Sequence, residues 1–214
     1  MRTDDSLLIS AEKETGRLEA FSDGVFAIAI TLLVLEIKVP HLEGESPVGL
    51  LTLLIKQWPS YLAFFLSFIT ILVMWVNHHI LFTYIKRVDK RFLFLNGLLL
   101  LFVTFVPFPT ALLAEYIQHP EAKVAAVVYS GTYLCIALAF NLLWRYASNG
   151  YRLLGKNVDR ALVVSINRQY LLGPPAYLFA FFLAFINVAA SVGFSMLLAL
   201  YFVFTGSLWR GNSD

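Results

Sequence analysis

The chain has 214 residues, of which 59% are hydrophobic and 14% charged, against about 25% charged in soluble domains; its mean hydropathy is +0.73. This excludes an ordinary water-soluble fold and makes lipid the solvent. A net charge of +2 carries little information by itself, so the placement of basic residues along the chain is what orients it in a membrane.

Residues 1–16 are polar and more acidic than basic, the wrong charge pattern for a secretory signal, so the first span is expected to be retained. Apolar segments follow at about 18–39, 58–85, 92–113, 124–144, 170–187 and 189–208. Each is close to the length of roughly 20 residues that crosses the hydrocarbon core. The expected fold is all-α, a polytopic membrane protein of six transmembrane helices in one domain over residues 1–214. Breakers separate the segments: Pro40 with 41–47, the basic run 86–91, and 115–123 with Pro120. The stretch 145–168 reads as a solvated linker near anionic headgroups, and 187–191 as a tight helical hairpin. Trp144 and Trp209, with the Phe-rich third and fifth helices, read as interfacial and lipid-facing anchors. The single cysteine, Cys135, reads as a small buried hydrophobe.

Thirteen of the 16 lysines and arginines fall in the N-terminal segment, the second and fourth loops and the C-terminus, where Arg210 lies. Only Lys38, Lys56 and Lys123 fall on the other side. By the positive-inside rule both termini are expected to be cytoplasmic, in the cell (inner) membrane. The outer side carries Glu36, Glu43, Glu45, Glu115 and Glu121 and is mildly acidic.

Charged residues inside a span are expensive, and the first helix holds several near its inner end. Arg17, Phe21, Ser22 and Asp23 precede an aliphatic run in which Ile28, Leu32 and Leu35 form an i, i+4, i+7 stripe. Asp23 points roughly 140° away from Ile28 on the helical wheel, at about 100° per residue. It therefore faces neighbouring helices and not the stripe, as Val34 is also expected to do. Asn77, His78 and His79 in helix two and Asn96 in helix three lie at a similar depth, so a buried polar layer is expected to fix helix one against its neighbours. Adjacent His78 and His79 point about 100° apart, a poor arrangement for sharing one metal, and no metal site is expected. Ser22 is the sole nucleophile near Asp23 and the histidines, and no metal motif completes a catalytic constellation, so no enzyme is expected.

Arg17-x-x-x-Phe21-Ser22-Asp23, the aliphatic helix that follows, and Trp75-x-x-His78-His79 together resemble the transmembrane protein 175 family in its single-repeat prokaryotic form. The resemblance covers essentially the whole chain. It implies a potassium-permeable channel without a Thr-Val-Gly-Tyr-Gly filter, a motif this sequence also lacks. It further implies a homotetramer with four copies of helix one around the axis, a constriction at Ile28, Leu32 and Leu35, and a contribution of Thr31 to ion preference. The partners implied are monovalent cations, the bilayer and further copies of the chain; no cofactor other than permeant potassium and no nucleic acid is expected. The alternative is a proton-coupled secondary transporter using the Asp/His layer. Against it, Pro107-Phe-Pro109 and Pro174-Pro175 are expected near helix ends and not at the bilayer midplane.

Overall fold

With no water available in hydrocarbon, backbone N–H and C=O groups must pair within each segment, and the apolar segments all fold as helices. The computed structural model describes residues 2–41, 49–156 and 158–207, with side chains described at 13–41, 49–156 and 158–202. Glu43, Glu45, Trp209 and Arg210 lie outside the described residues, as does the side chain of Arg2. The elements are α1 (Arg2–Leu32) continued by a 3₁₀ turn (Leu33–Glu36), α2 (Leu50–Lys56), α3 (Trp58–Tyr84), α4 (Lys90–Phe105), α5 (Pro107–Tyr116), α6 (Ala122–Ser148), α7 (Arg160–Ile186) and α8 (Val188–Ser207). Among the described residues there is no strand, and an isolated bridge joins Ile85 to Leu154.

Among the described residues five helical stretches are long and apolar enough to cross a membrane: Lys13–Glu36, Trp58–Tyr84, Lys90–Tyr116, Ala122–Tyr151 and Arg160–Ile186. The 20 residues of α8, about 30 Å of helix, complete a six-span bundle. Asn187 alone links α7 to α8 in an extended conformation, and its side-chain oxygen accepts the backbone N–H of Ala190 at 3.0 Å, a capping bond that starts α8 at once.

Proline sets the irregularities. Pro107 has no N–H to offer the Val103 carbonyl, which accepts Val106 N–H instead at 3.2 Å, so the third span divides into α4 and α5. In α7, Pro174 leaves the Tyr170 carbonyl without its helical donor. Asn141 Nδ2 of α6 fills that vacancy at 2.8 Å, and the helix runs on without a break. Because α7 begins at Arg160 and not at about residue 170, the Pro174-Pro175 pair lies near the middle of a 27-residue helix, correcting its expected place near the inner end.

The connection 145–168 is likewise not a solvated linker. α6 and α7 consume both ends of it, and Leu153 and Leu154 are buried. The Leu153 carbonyl accepts Lys86 N–H at 2.9 Å, while Gly155 N–H donates to the Tyr84 carbonyl at 3.0 Å, so the linker supplies partners for the exposed end of α3. The lengthened α7 also overturns the reading of Trp144 as an interfacial anchor. Its side chain is fully buried, and its indole N–H reaches Asn167 Oδ1 at 2.7 Å, an acceptor inside the protein that replaces the headgroups. Cys135 is partly exposed and not buried as expected.

Asp89 ties the same end together. Its carboxylate accepts Phe92 N–H at 2.8 Å, capping α4, and Tyr146 O–H of α6 at 2.6 Å; Arg152 lies 4.8 Å from the centre of the Tyr146 ring. Partial burial pushes the carboxyl upward, but the bonds from Tyr146, Phe92 and Arg91 and the Arg152 charge outweigh it and hold Asp89 below its ordinary value of 3.8. A lowered carboxylate contributes stability that is present above the ordinary value and is lost as pH falls through the folded one. Asp89→Asn is therefore expected to lower thermal stability in detergent by about 1 kcal/mol at neutral pH. The difference from wild type should vanish in acid below pH 3.8, and a difference that stays constant across the titration would assign the effect to packing.

Candidate functional site on helix one

α1 is held around residues 18–23 by hydrogen bonds to two helices. His78 of α3 places Nε2 2.9 Å from Asn96 Oδ1 of α4; Asn96 Nδ2 donates to Ser22 Oγ at 2.9 Å, and Ser22 Oγ donates to the Leu18 carbonyl at 2.9 Å. Each donor finds an acceptor when His78 Nε2 carries the proton of its bond to Asn96 Oδ1. All three side chains are buried, and His78 Nδ1 is left without a partner. Phe26 and Phe82 pack on the imidazole at ring separations of 5.3 and 4.5 Å.

Beside this chain run two further contacts between α1 and α3. Trp75 Nε1 donates to Asp23 Oδ1 at 2.9 Å, and His79 Nδ1 lies 2.9 Å from Glu19 Oε1. Glu19 and Asp23 are one turn apart, as are Trp75 and His79, so the two helices meet in antiparallel register with successive rungs in line. Asn77 does not belong to this layer, contrary to the expectation. One residue before His78 it points about 100° away, into a small cavity of about 60 Å³ shared with Gln169 and Tyr170 of α7. Trp75 and Glu19 are the members that sequence reasoning missed. Their signal was the matched four-residue spacing on both helices, legible once the helices are known to be antiparallel neighbours.

These bonds fix the rotation of α1 and so divide its faces. Ser22, Phe26, Ala29 and Leu33 are fully buried. Phe21, Ile28, Thr31, Leu32 and Leu35 lie on the other side, with Ile28 59% and Leu35 69% exposed; Arg17 is also exposed. Thr31 Oγ1 donates to the Ile28 carbonyl at 2.9 Å, which leaves its lone pairs turned outward as acceptors. Beyond Leu32 the 3₁₀ turn brings residues i and i+3 into line, so Leu35 stacks above Leu32. The same turn corrects the expectation for Val34, which is 53% exposed, while Leu33 is the residue turned into the protein.

Residues 17–107, from the start of this layer to the break before α5, match the endosomal/lysosomal potassium channel TMEM175 family. A potassium channel of Chamaesiphon minutus is 60% identical over 191 residues, 89% of this chain and 94% of that one. The chain belongs to the TMEM175 family. A potassium channel of Streptomyces collinus is 47% identical, over 89% of this chain and 92% of its own. The crystal structure of a lysosomal potassium-selective channel TMEM175 homolog from Chamaesiphon minutus superposes with a TM-score of 0.85 at 56% identity, covering 91% of this chain and 99% of the other. The family match begins at Arg17 and contains every member of the hydrogen-bonded layer.

Among the described residues no cluster of three or more His, Cys, Asp or Glu side chains is arranged to hold a metal. Asn96→Leu is expected to strand the His78 N–H in an apolar setting and to cost about 1–3 kcal/mol in thermal unfolding in detergent. Trp75→Phe, which frees a carboxylate at a partly exposed position, should cost less. Equal losses for the two variants would show that the buried chain is no more important than the rim contact.

Proposed function

We propose that this chain is a potassium-permeable cation channel in which α1 lines the conduction path. The observation that carries the reading is the bare face of α1, Ile28, Thr31, Leu32 and Leu35, opposite a face that is fully buried. Four copies around an axis, each with residues 1–214 as one six-helix unit, would close these faces on one another. The naming of the Chamaesiphon and Streptomyces relatives as potassium channels supports the same reading.

In this reading Ile28, Leu32 and Leu35 form apolar rings. A narrow ring of branched aliphatic side chains strips water from an ion without offering ligands in return, so it closes the path by dewetting. The outward lone pairs of Thr31 favour cations over anions. Glu36 and the acidic outer side concentrate cations at the mouth. Ser22 and Asp23, with Trp75, His78, His79 and Asn96, hold the helix in place and do not touch the ion, whereas Arg17 and Phe21, expected to belong with them, are exposed and Phe21 shares the face of Ile28. The basic loops are laced to one end of the bundle by the bonds between 84–87 and 153–155, and the positive-inside rule makes this the cytoplasmic end, with both termini, in the inner membrane.

The proton-coupled transporter is the weaker reading. Asp23 accepts from Trp75, whose indole N–H donates but cannot accept, and among the described residues no hydrogen bond joins Asp23 to His78 or His79. The Pro174-Pro175 position, though near mid-helix, is bridged by Asn141 and leaves α7 continuous.

Planar-bilayer recording of purified protein tests the gate. Ile28→Asn replaces the branched aliphatic side chain by a smaller amide that holds water, so current should rise. Leu33→Asn, on the buried side of the same helix, should leave conduction no higher and reduce the yield of folded protein, because it buries an unpaired amide. Cysteines at Ile28, Leu32 and Leu35 should crosslink between subunits and one at Leu33 should not. Unchanged current for Ile28→Asn, or crosslinking strongest at Leu33, overturns the assignment.

A further inference from the structure

α6 and α7 enclose a groove of about 640 Å³ to which α1 contributes no lining residue. Its rim carries Arg145 and Arg168, and no carboxylate lines it. Among the described residues neither guanidinium pairs with an acid. Two unneutralised positive charges sharing one groove repel each other, and the arrangement becomes favourable when an anion sits between them.

The depth of the groove says which anion. Residues 124–144 of α6 are uncharged, about 31 Å of helix, so Arg145 emerges where the hydrocarbon ends. Arg168 follows Asn167, whose side chain is bonded to Trp144 at 2.7 Å, so it stands at the same level. One turn past Arg168, on the side toward the hydrocarbon, the groove is walled by Leu171, which is half exposed. A soluble anion would use the rim and leave this apolar wall bare. A phospholipid uses both.

We propose that the α6–α7 groove binds an anionic phospholipid, with the headgroup phosphate between Arg145 and Arg168 and an acyl chain along Leu171. The site does not depend on which helix lines the conduction path.

Native mass spectrometry of the full chain, titrated with phosphatidylglycerol or phosphatidylcholine, is the test. Wild type should retain phosphatidylglycerol preferentially; equal retention of the two lipids overturns the proposal without any variant. Arg145→Gln/Arg168→Gln should weaken phosphatidylglycerol binding roughly 25-fold, at about a factor of five for each arginine. Arg160→Gln, outside the groove, should not change it. Leu171→Trp, with both arginines intact, should also displace the lipid by filling the wall. Excess inorganic phosphate should fail to displace it; complete displacement would make the groove a site for soluble anions and sink the lipid assignment, as would unchanged binding in the double variant.

Discussion

The chain of hydrogen bonds from His78 through Asn96 to Ser22 fixes the rotation of α1, and that rotation governs what the helix presents to each side. In hydrocarbon an unpaired imidazole or amide costs several kcal/mol, so the three side chains have one economical arrangement. Once Ser22 is turned toward α4, helical geometry carries Phe26, Ala29 and Leu33 inward after it. Ile28, Thr31 and Leu32 are then left facing away from the protein, whatever their own preference. A buried polar layer at the inner end thus sets the character of an apolar surface one to three turns further along.

The same constraint, that polar groups in a dry interior need partners within the protein, accounts for the other departures from simple helices. Proline removes donors, and each removal is answered locally: Val106 N–H tightens onto Val103 at the α4–α5 junction, and Asn141 crosses from α6 to the Tyr170 carbonyl freed by Pro174. Ser67 of α3 and Thr110 of α5 share a hydrogen bond at 2.7 Å, with Tyr129 of α6 at 3.3 Å. These contacts place α5 against α3 and α6, which an apolar sequence alone would not orient. At the inner end Asp89 and the Leu153 carbonyl do for the loops what Asn141 does for α7.

A division of labour follows. The first three spans carry the polar layer and the family match, while α6 to α8 present an exposed apolar surface of a kind suited to lipid. Exposed phenylalanines on α7, among them Phe179, Phe182 and Phe185, suit that setting, because aromatic and aliphatic surface costs nothing against acyl chains. The arginine-rimmed groove is the exception on this surface, and its position at the end of the uncharged stretch places it where lipid headgroups begin.

The sequence by itself determined the number of spans, the clustering of basic loops at one end and the position of the costly polar residues, because length, hydropathy and charge are local properties that lipid reads directly. It also placed Ile28, Leu32 and Leu35 on one stripe and Asp23 off it, since a single helix fixes its own angles. It could not tell which polar groups pair. His78 and Asn77 are neighbours in sequence, yet one meets Asn96 and the other a cavity on the far side of α3, a choice made by which helices pack there. Nor could it place Val34 correctly, because α1 tightens into a 3₁₀ turn after Leu32. Trp144 followed the same logic: its burial depended on α7 starting early enough to bring Asn167 beside it. Pairing, helix ends and the burial of polar side chains are properties of neighbours, and only the tertiary structure supplies the neighbours.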